Sequence, residues 1–234
     1  MALALAAVLA ACDAPRRAPS EPPAVTATRP AATGPSAPPL RLATRSDGTK
    51  TGNADGILVE VGVPPSDYGG CRPEDVLAVL HELTDAIAGH PARAASFAKA
   101  GFQWYSATEN GNQVVPERHA VLRDAASFRA YLEQRQRRHE RLRLIALRVI
   151  GEGNFALQLV RVADDLAPSL GGRHHVAEGK GKVDCSNRSI IAFSHTMFPG
   201  EPDYASWRGL FGDASARRFE AAATAAASKL QRGA

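Results

Sequence analysis

The 234 residues read as an α+β domain behind a leader that has no hydrophobic period of its own. Three observations predict this. Eight of the sixteen prolines fall between Pro15 and Pro39, among Ala, Ser and Thr, a composition too poor in apolar residues to offset the entropy of ordering. Val76, Leu77, Leu80, Leu83 and Ile87 then follow one another at helical spacing. Finally, Leu142–Ile150, Phe155–Val162, His174–Cys185 and Ser189–Phe198 form a run of apolar, β-branched segments joined by tight polar turns. Helices first, then a helix leading into an antiparallel meander, is the α+β arrangement.

The elements follow in order. Ile57–Val63 can form a short leading strand. Pro73 suits a first helical turn, and Glu74 and Asp75 favour the positive end of the helix dipole. Gly89-His90-Pro91 breaks that helix, and Ala92–Ala100 reads as a second, short one. Phe102–Ala107 alternates as a strand and Glu109-Asn110-Gly111-Asn112 turns the chain, so that Val114–Leu122 becomes a partner strand or extended segment. Asp124 can cap the next helix, which carries Phe128, Tyr131, Leu132, Arg135 and His139 on one side. Gly151-Glu152-Gly153-Asn154 and Ser186-Asn187-Arg188 connect the last strands as hairpins. Beyond residue 199, Ala214–Leu230 is an alanine-rich helix with a thin apolar face. It can pack on the domain, mediate homodimer contacts or fray, and Trp207, Leu210 and Phe211 are the better anchors onto the domain surface.

The order helix, helix, strand, helix and long antiparallel hairpins resembles the NTF2-like family, the cystatin-like α+β cone. Gly179-Lys180-Gly181-Lys182-Val183-Asp184-Cys185 followed by Ile190-Ile191-Ala192-Phe193-Ser194 is similar to that family's penultimate hairpin. The resemblance implies a curved sheet wrapped around a helix to leave a conical pocket, without implying chemistry. Strand parity places His195 with Ile191, Phe193 and Met197, and Arg161 with Phe155, Leu157 and Leu159. We therefore expect His139, Arg161 and His195 to converge as ligand-binding residues inside the cone, in a site suited to an anionic or hydrogen-bond-accepting guest. The bland alternative is a set of satisfied core pairs.

Address is read from the N-terminus. Ala2–Ala11 is apolar but too short to span a bilayer, and its length suits the core of a secretion signal. Leu9-Ala10-Ala11-Cys12 resembles the lipobox of bacterial lipoproteins, in which the cysteine is lipidated; the absence of Lys or Arg ahead of the apolar run departs from that pattern. The division expected is thus a signal over 1–12, a disordered proline/alanine tether over 13–56, the NTF2-like domain over 57–199 and a tail over 200–234. The partner implied is a membrane, reached through lipid on Cys12, with the domain on the extracytoplasmic face. Three cysteines then leave Cys71 and Cys185 either as a disulfide across more than a hundred residues or as two buried thiols.

The net charge of +4 comes from 28 basic and 24 acidic residues. Six arginines crowd residues 135–148, but no nucleic-acid-binding module accompanies them, so no nucleic-acid partner is expected. His174-His175 lacks further ligands at short spacing, no phosphate loop or nucleophile elbow is present, and no metal or cofactor is expected. An acid/base enzyme needs a carboxylate poised in an apolar pocket. Asp164-Asp165 and Glu140 are candidates, and Tyr105 lies on the first strand, but no complete catalytic set can be assembled. The leading reading is a non-catalytic ligand-binding or interaction module, and the alternative is a small acid/base isomerase or dehydratase using the same cone.

Overall fold

The computed structural model describes residues 39–110, 113–114, 120–137, 139, 141–162, 174–197 and 204–232. Its strands are β1 (Ala43–Thr44), β2 (Lys50–Ala54), β3 (Ile57–Val61), β4 (Ala98–Asn110), β5 (Gln113–Val114), β6 (Ala120–Leu122), β7 (Arg141–Gly151), β8 (Asn154–Val162), β9 (His174–Asp184) and β10 (Ser189–Met197). The helices are α1 (Pro73–Gly89), α2 (Pro91–Ala95), α3 (Ala125–Gln136), α4 (Tyr204–Phe211) and α5 (Asp213–Arg232). The described strands run β1-β2-β3-β7-β8-β9-β10-β4-β5 across one sheet, with β6 also on β4. The pairs β7–β8, β8–β9 and β9–β10 are antiparallel, whereas β10–β4 and β3–β7 are parallel. This is the α+β fold expected, a curved sheet packed around a helix in the manner of an NTF2-like cone.

The concave face holds the main core. Val76, Leu77, Leu80 and Leu83 of α1 and Phe128 and Leu132 of α3 are buried against Phe102, Trp104, Leu147, Phe155, Leu157 and Phe193 of the sheet. At the start of α1, Pro73 occupies the first turn, and the Arg72 N–H donates to the Asp75 carboxylate at 3.3 Å. For α3, Asp124 accepts from the Ser127 N–H at 2.8 Å, the capping expected from the sequence. Cys71 and Cys185 form a disulfide with Cα atoms 5.4 Å apart, fastening the start of α1 to the β9–β10 turn. Of the two fates open to these cysteines, the bridge is the one realised.

Three boundaries differ from expectation. The stretch read as tether up to residue 56 contains β1 and β2, and β2 pairs with β3 from Lys50↔Val61 to Ala54↔Ile57. The reason is local. Asp55 and Gly56 both take left-handed φ (52° and 79°), the geometry of a two-residue hairpin turn for which Asp-Gly is a strong signal. The second short helix ends at Ala95, and residues 98–100 already belong to β4. The third helix stops at Gln136, short of His139.

The alanine-rich helix packs on the outer face of the sheet. Ala216 and Phe219 of α5, with Trp207 of α4, bury against Ala146 and Ala156, while Ala223 meets Ile145 and Val160. Trp207 is the anchor expected; Leu210 is not, being 72 % exposed. Beneath the start of α5 lies Glu60, a fully buried carboxylate. It accepts from Arg148 Nη1 at 2.8 Å, from Ser215 Oγ at 2.6 Å and from Arg218 Nε. Arg218 also pairs with Asp47 at 3.2 Å, so this cluster joins the β1–β2 loop, β3, β7 and α5.

Candidate functional site in the cone

The aromatic side chains inside the cone form a continuous chain. Trp104 lies 4.4 Å from Phe193, nearly parallel to it, and 4.7 Å from Phe128. Phe193 continues to Phe155 at 5.8 Å, and Phe128 to Phe102 at 4.9 Å. The two glycines of β9 make room for this packing. A Cβ on Gly181 would stand 2.1 Å from the Ala192 carbonyl oxygen and 2.9 Å from the Phe155 ring. One on Gly179 would stand 2.9 Å from a Leu157 methyl. The Gly-Lys-Gly-Lys phrase thus alternates backbone cleared for packing with half-buried or exposed lysines on the other side.

Polar groups collect beyond Trp104. Tyr131 of α3 lies 6.5 Å from it, and the Arg135 guanidinium sits 5.0 Å from the Tyr131 ring centre. Arg135 is buried, 9 % exposed, one helical turn after Tyr131. The i, i+4 spacing of these residues, readable in the sequence, stacks guanidinium on ring. The Tyr131 hydroxyl is buried and has no hydrogen-bond partner among the described residues, a condition that costs free energy unless something supplies one. Among the described residues the buried polar set is Thr51, Glu60, Thr84, Arg135, Gln158, Ser189 and Ser215. Its one carboxylate, Glu60, lies on the outer face beneath α5, and Thr84 spends its hydroxyl on the Leu80 carbonyl at 3.0 Å.

Of the three residues expected to converge, the structure describes the side chain of His139 alone. His139 is exposed, in the turn between α3 and β7, with a left-handed φ of 52°. The helix ends before it, which removes it from the face it was expected to share with Tyr131 and Leu132. Arg161 pairs in register with His175 and Leu142, two residues beyond Leu159; His195 pairs with Gly179 and Ser106, two beyond Phe193. Both backbones therefore hold the strand parity of the aromatic core, while their side chains lie outside the described residues. So do the side chains of Tyr105, His174 and His175, together with Glu140 and Asp164-Asp165. Cys12 also lies outside the described residues. No group of three or more His, Cys, Asp or Glu able to hold a metal occurs among the described residues. Arg135, noted in the sequence but set behind His139, is the charged residue of α3 that is buried, beside Phe128 and Leu132.

No family model matches the chain, and no curated protein does either. Solved structures do resemble it. A cystatin-like-fold protein of unknown function from Methylobium petroleophilum PM1 is 10 % identical with a TM-score of 0.41, covering 55 % of this chain and 79 % of its own. An LEH-like epoxide hydrolase from M. tuberculosis is 11 % identical at TM-score 0.37, covering 53 % and 83 %. PrhC from Penicillium brasilianum is 14 % identical at TM-score 0.40, covering 64 % and 93 %. The α+β arrangement expected from the sequence, one sheet with helices packed on it, is the fold observed.

Proposed function

We propose that the domain is a non-catalytic binding module whose guest is held at the polar end of the cone by Tyr131 and Arg135. Lipid on Cys12 and the proline-rich stretch after it would present the domain outside the membrane. The observation that carries the binding reading is the buried, unpartnered Tyr131 hydroxyl beside a buried guanidinium at the end of an aromatic interior. Arginine stays charged at any ordinary pH and offers a planar fork of donors. The guest that fits best is small and carries a carboxylate, phosphate or carbonyl oxygen, with an apolar body against the rings. Arg161 and His195 join the site in this reading, through the strand parity they share with Leu159 and Phe193, and His139 stays at the surface.

A thermal-shift screen of the full chain against small carboxylates, phosphates and neutral carbonyl compounds tests the site. A guest at a hundred times its Kd should stabilise the fold by about 2.7 kcal/mol. Tyr131→Phe should lose that stabilisation while unfolding near the parent midpoint without guest, and Arg135→Met should lose it relative to its own guest-free midpoint. A screen in which nothing stabilises the parent, or in which both variants respond as the parent does, refutes the reading. For the anchor, incorporation of a fatty-acid analogue should be lost in Cys12→Ala, and equal labelling of parent and variant ends that part.

A further inference from the structure

The layer between α5 and the sheet is separate from the main core. Among the described residues, none of α4 or α5 belongs to the apolar cluster of the concave face. The two helices have small clusters of their own. Trp207, Ala216 and Phe219 pack with Ala146 and Ala156, and Ala223 packs with Ile145 and Val160. Along α5 the hold is uneven. Its first turns carry the bonds of Ser215 and Arg218 to Glu60 and of Arg218 to Asp47. Among the described residues after Phe219, Ala223 alone is buried, and one methyl group contributes little to holding a helix down.

Beneath this weaker stretch lies a polar group that the contact does not satisfy. Gln158 of β8 is 0 % exposed, and neither its amide nitrogen nor its amide oxygen has a hydrogen-bond partner among the described residues. Its place is set by strand parity. Ala156 and Val160, two residues to either side, share its face of β8 and belong to the two clusters under α5. The pairing of β8 with β9 is unbroken over this stretch, with Gln158 opposite Glu178. The α5 side chains packed with those clusters are Ala216, Phe219, Ala222, Ala223 and Ala226, none of which can bond to an amide. A buried amide left without donor and acceptor weighs against the contact that covers it, because opening that contact returns it to water.

We infer that α5 beyond Phe219 is a strap that lifts from the sheet while its base stays latched on Glu60 and the cone stays folded, and that Gln158 sets how readily it lifts. The opening is local because the main core, with α1 and α3, lies in a different cluster on the opposite face. Lifting uncovers Ile145, Gln158 and Val160 on the outside of strands whose other face, through Leu147, Leu157 and Leu159, lines that core. Local opening of this kind is read directly by amide hydrogen exchange.

The test is native-state hydrogen exchange on the full chain, followed separately for α5 after Phe219, for β8 and for α1. In the parent, that part of α5 should exchange faster than β8 and α1. Gln158→Met keeps the length of the side chain and removes the orphaned amide, so it should slow exchange in α5 about tenfold and leave α1 unchanged. Ala223→Asp puts a charge into the contact and should speed exchange in α5 at least about tenfold, again with α1 unchanged. Exchange in α5 that is unchanged or faster in Gln158→Met overturns the inference, since the amide would then be satisfied where it lies. A Gln158→Met chain that fails to fold overturns it for the same reason. If Ala223→Asp speeds exchange in α1 as much as in α5, the helix belongs to the cooperative core and the strap does not exist.

Discussion

Replacing Glu60 by glutamine should be among the most damaging single-atom changes in this domain. The carboxylate is fully buried, and its oxygens take hydrogens from Arg148, Ser215 and Arg218. The two guanidiniums are 11 % and 18 % exposed, so water can replace the lost charge only in part. Burial already depresses the Arg148 pKa despite the attraction of Glu60; without that attraction the cost of holding the cation rises. Breaking one side of a buried pair costs about 3 to 5 kcal/mol, a large share of the roughly 5 to 15 kcal/mol that holds a domain together. The comparison is Glu82→Gln. Glu82 also meets two arginines, Arg93 at 2.7 Å and Arg188 at 2.6 Å, but those arginines are 43 % and 36 % exposed. Solvent screening there limits the expected loss to about 1 kcal/mol. Urea unfolding of parent and both variants reads the two losses, with the slope against denaturant expected to stay constant. If Glu60→Gln costs no more than Glu82→Gln, burial does not set the worth of these pairs and the reasoning fails.

Other outcomes follow from the same structure. Reducing the Cys71–Cys185 bridge, which spans 114 residues, should cost up to about 4.7 kcal/mol in the chain-entropy account, read as a lower urea midpoint under reductant. Gly181→Ala should destabilise by more than about 2 kcal/mol, because its Cβ meets backbone at 2.1 Å. Gly209→Ala in α4 meets nothing within 4 Å and should stabilise by up to about 1 kcal/mol; the reverse order in thermal melts refutes the packing argument. The Asp184 carboxyl is lowered to about 2 by hydrogen bonds from Ser186 and Asn187. A depressed carboxylate contributes stability that is present above its ordinary pKa of 3.8 and lost as pH falls toward about 2. Asp184→Asn should therefore flatten the acid limb of the stability profile between those values, and an unchanged limb would assign it to other groups.

What the sequence determined by itself was local. The apolar period of α1, Pro73 at its first turn, the Asp124 cap and the hairpins of the last four strands each depend on residues a few positions apart, and each appears where it was expected. The glycine alternation of β9 was visible as a phrase, although its reason, the rings of Phe155 and Phe193, was not. Asp55-Gly56 carried a hairpin signal that the surrounding polar composition hid, and so β1 and β2 were assigned to a tether. Tertiary structure decided what depends on distant partners. The helix α3 ends at Gln136 and leaves His139 exposed in the turn before β7, while Arg135 is buried with its guanidinium over the Tyr131 ring. Glu60 looks in sequence like one acid in an apolar strand. Only the return of α5, more than 150 residues later, brings Ser215 and Arg218 over it, and a buried charge is tolerable only where such partners arrive.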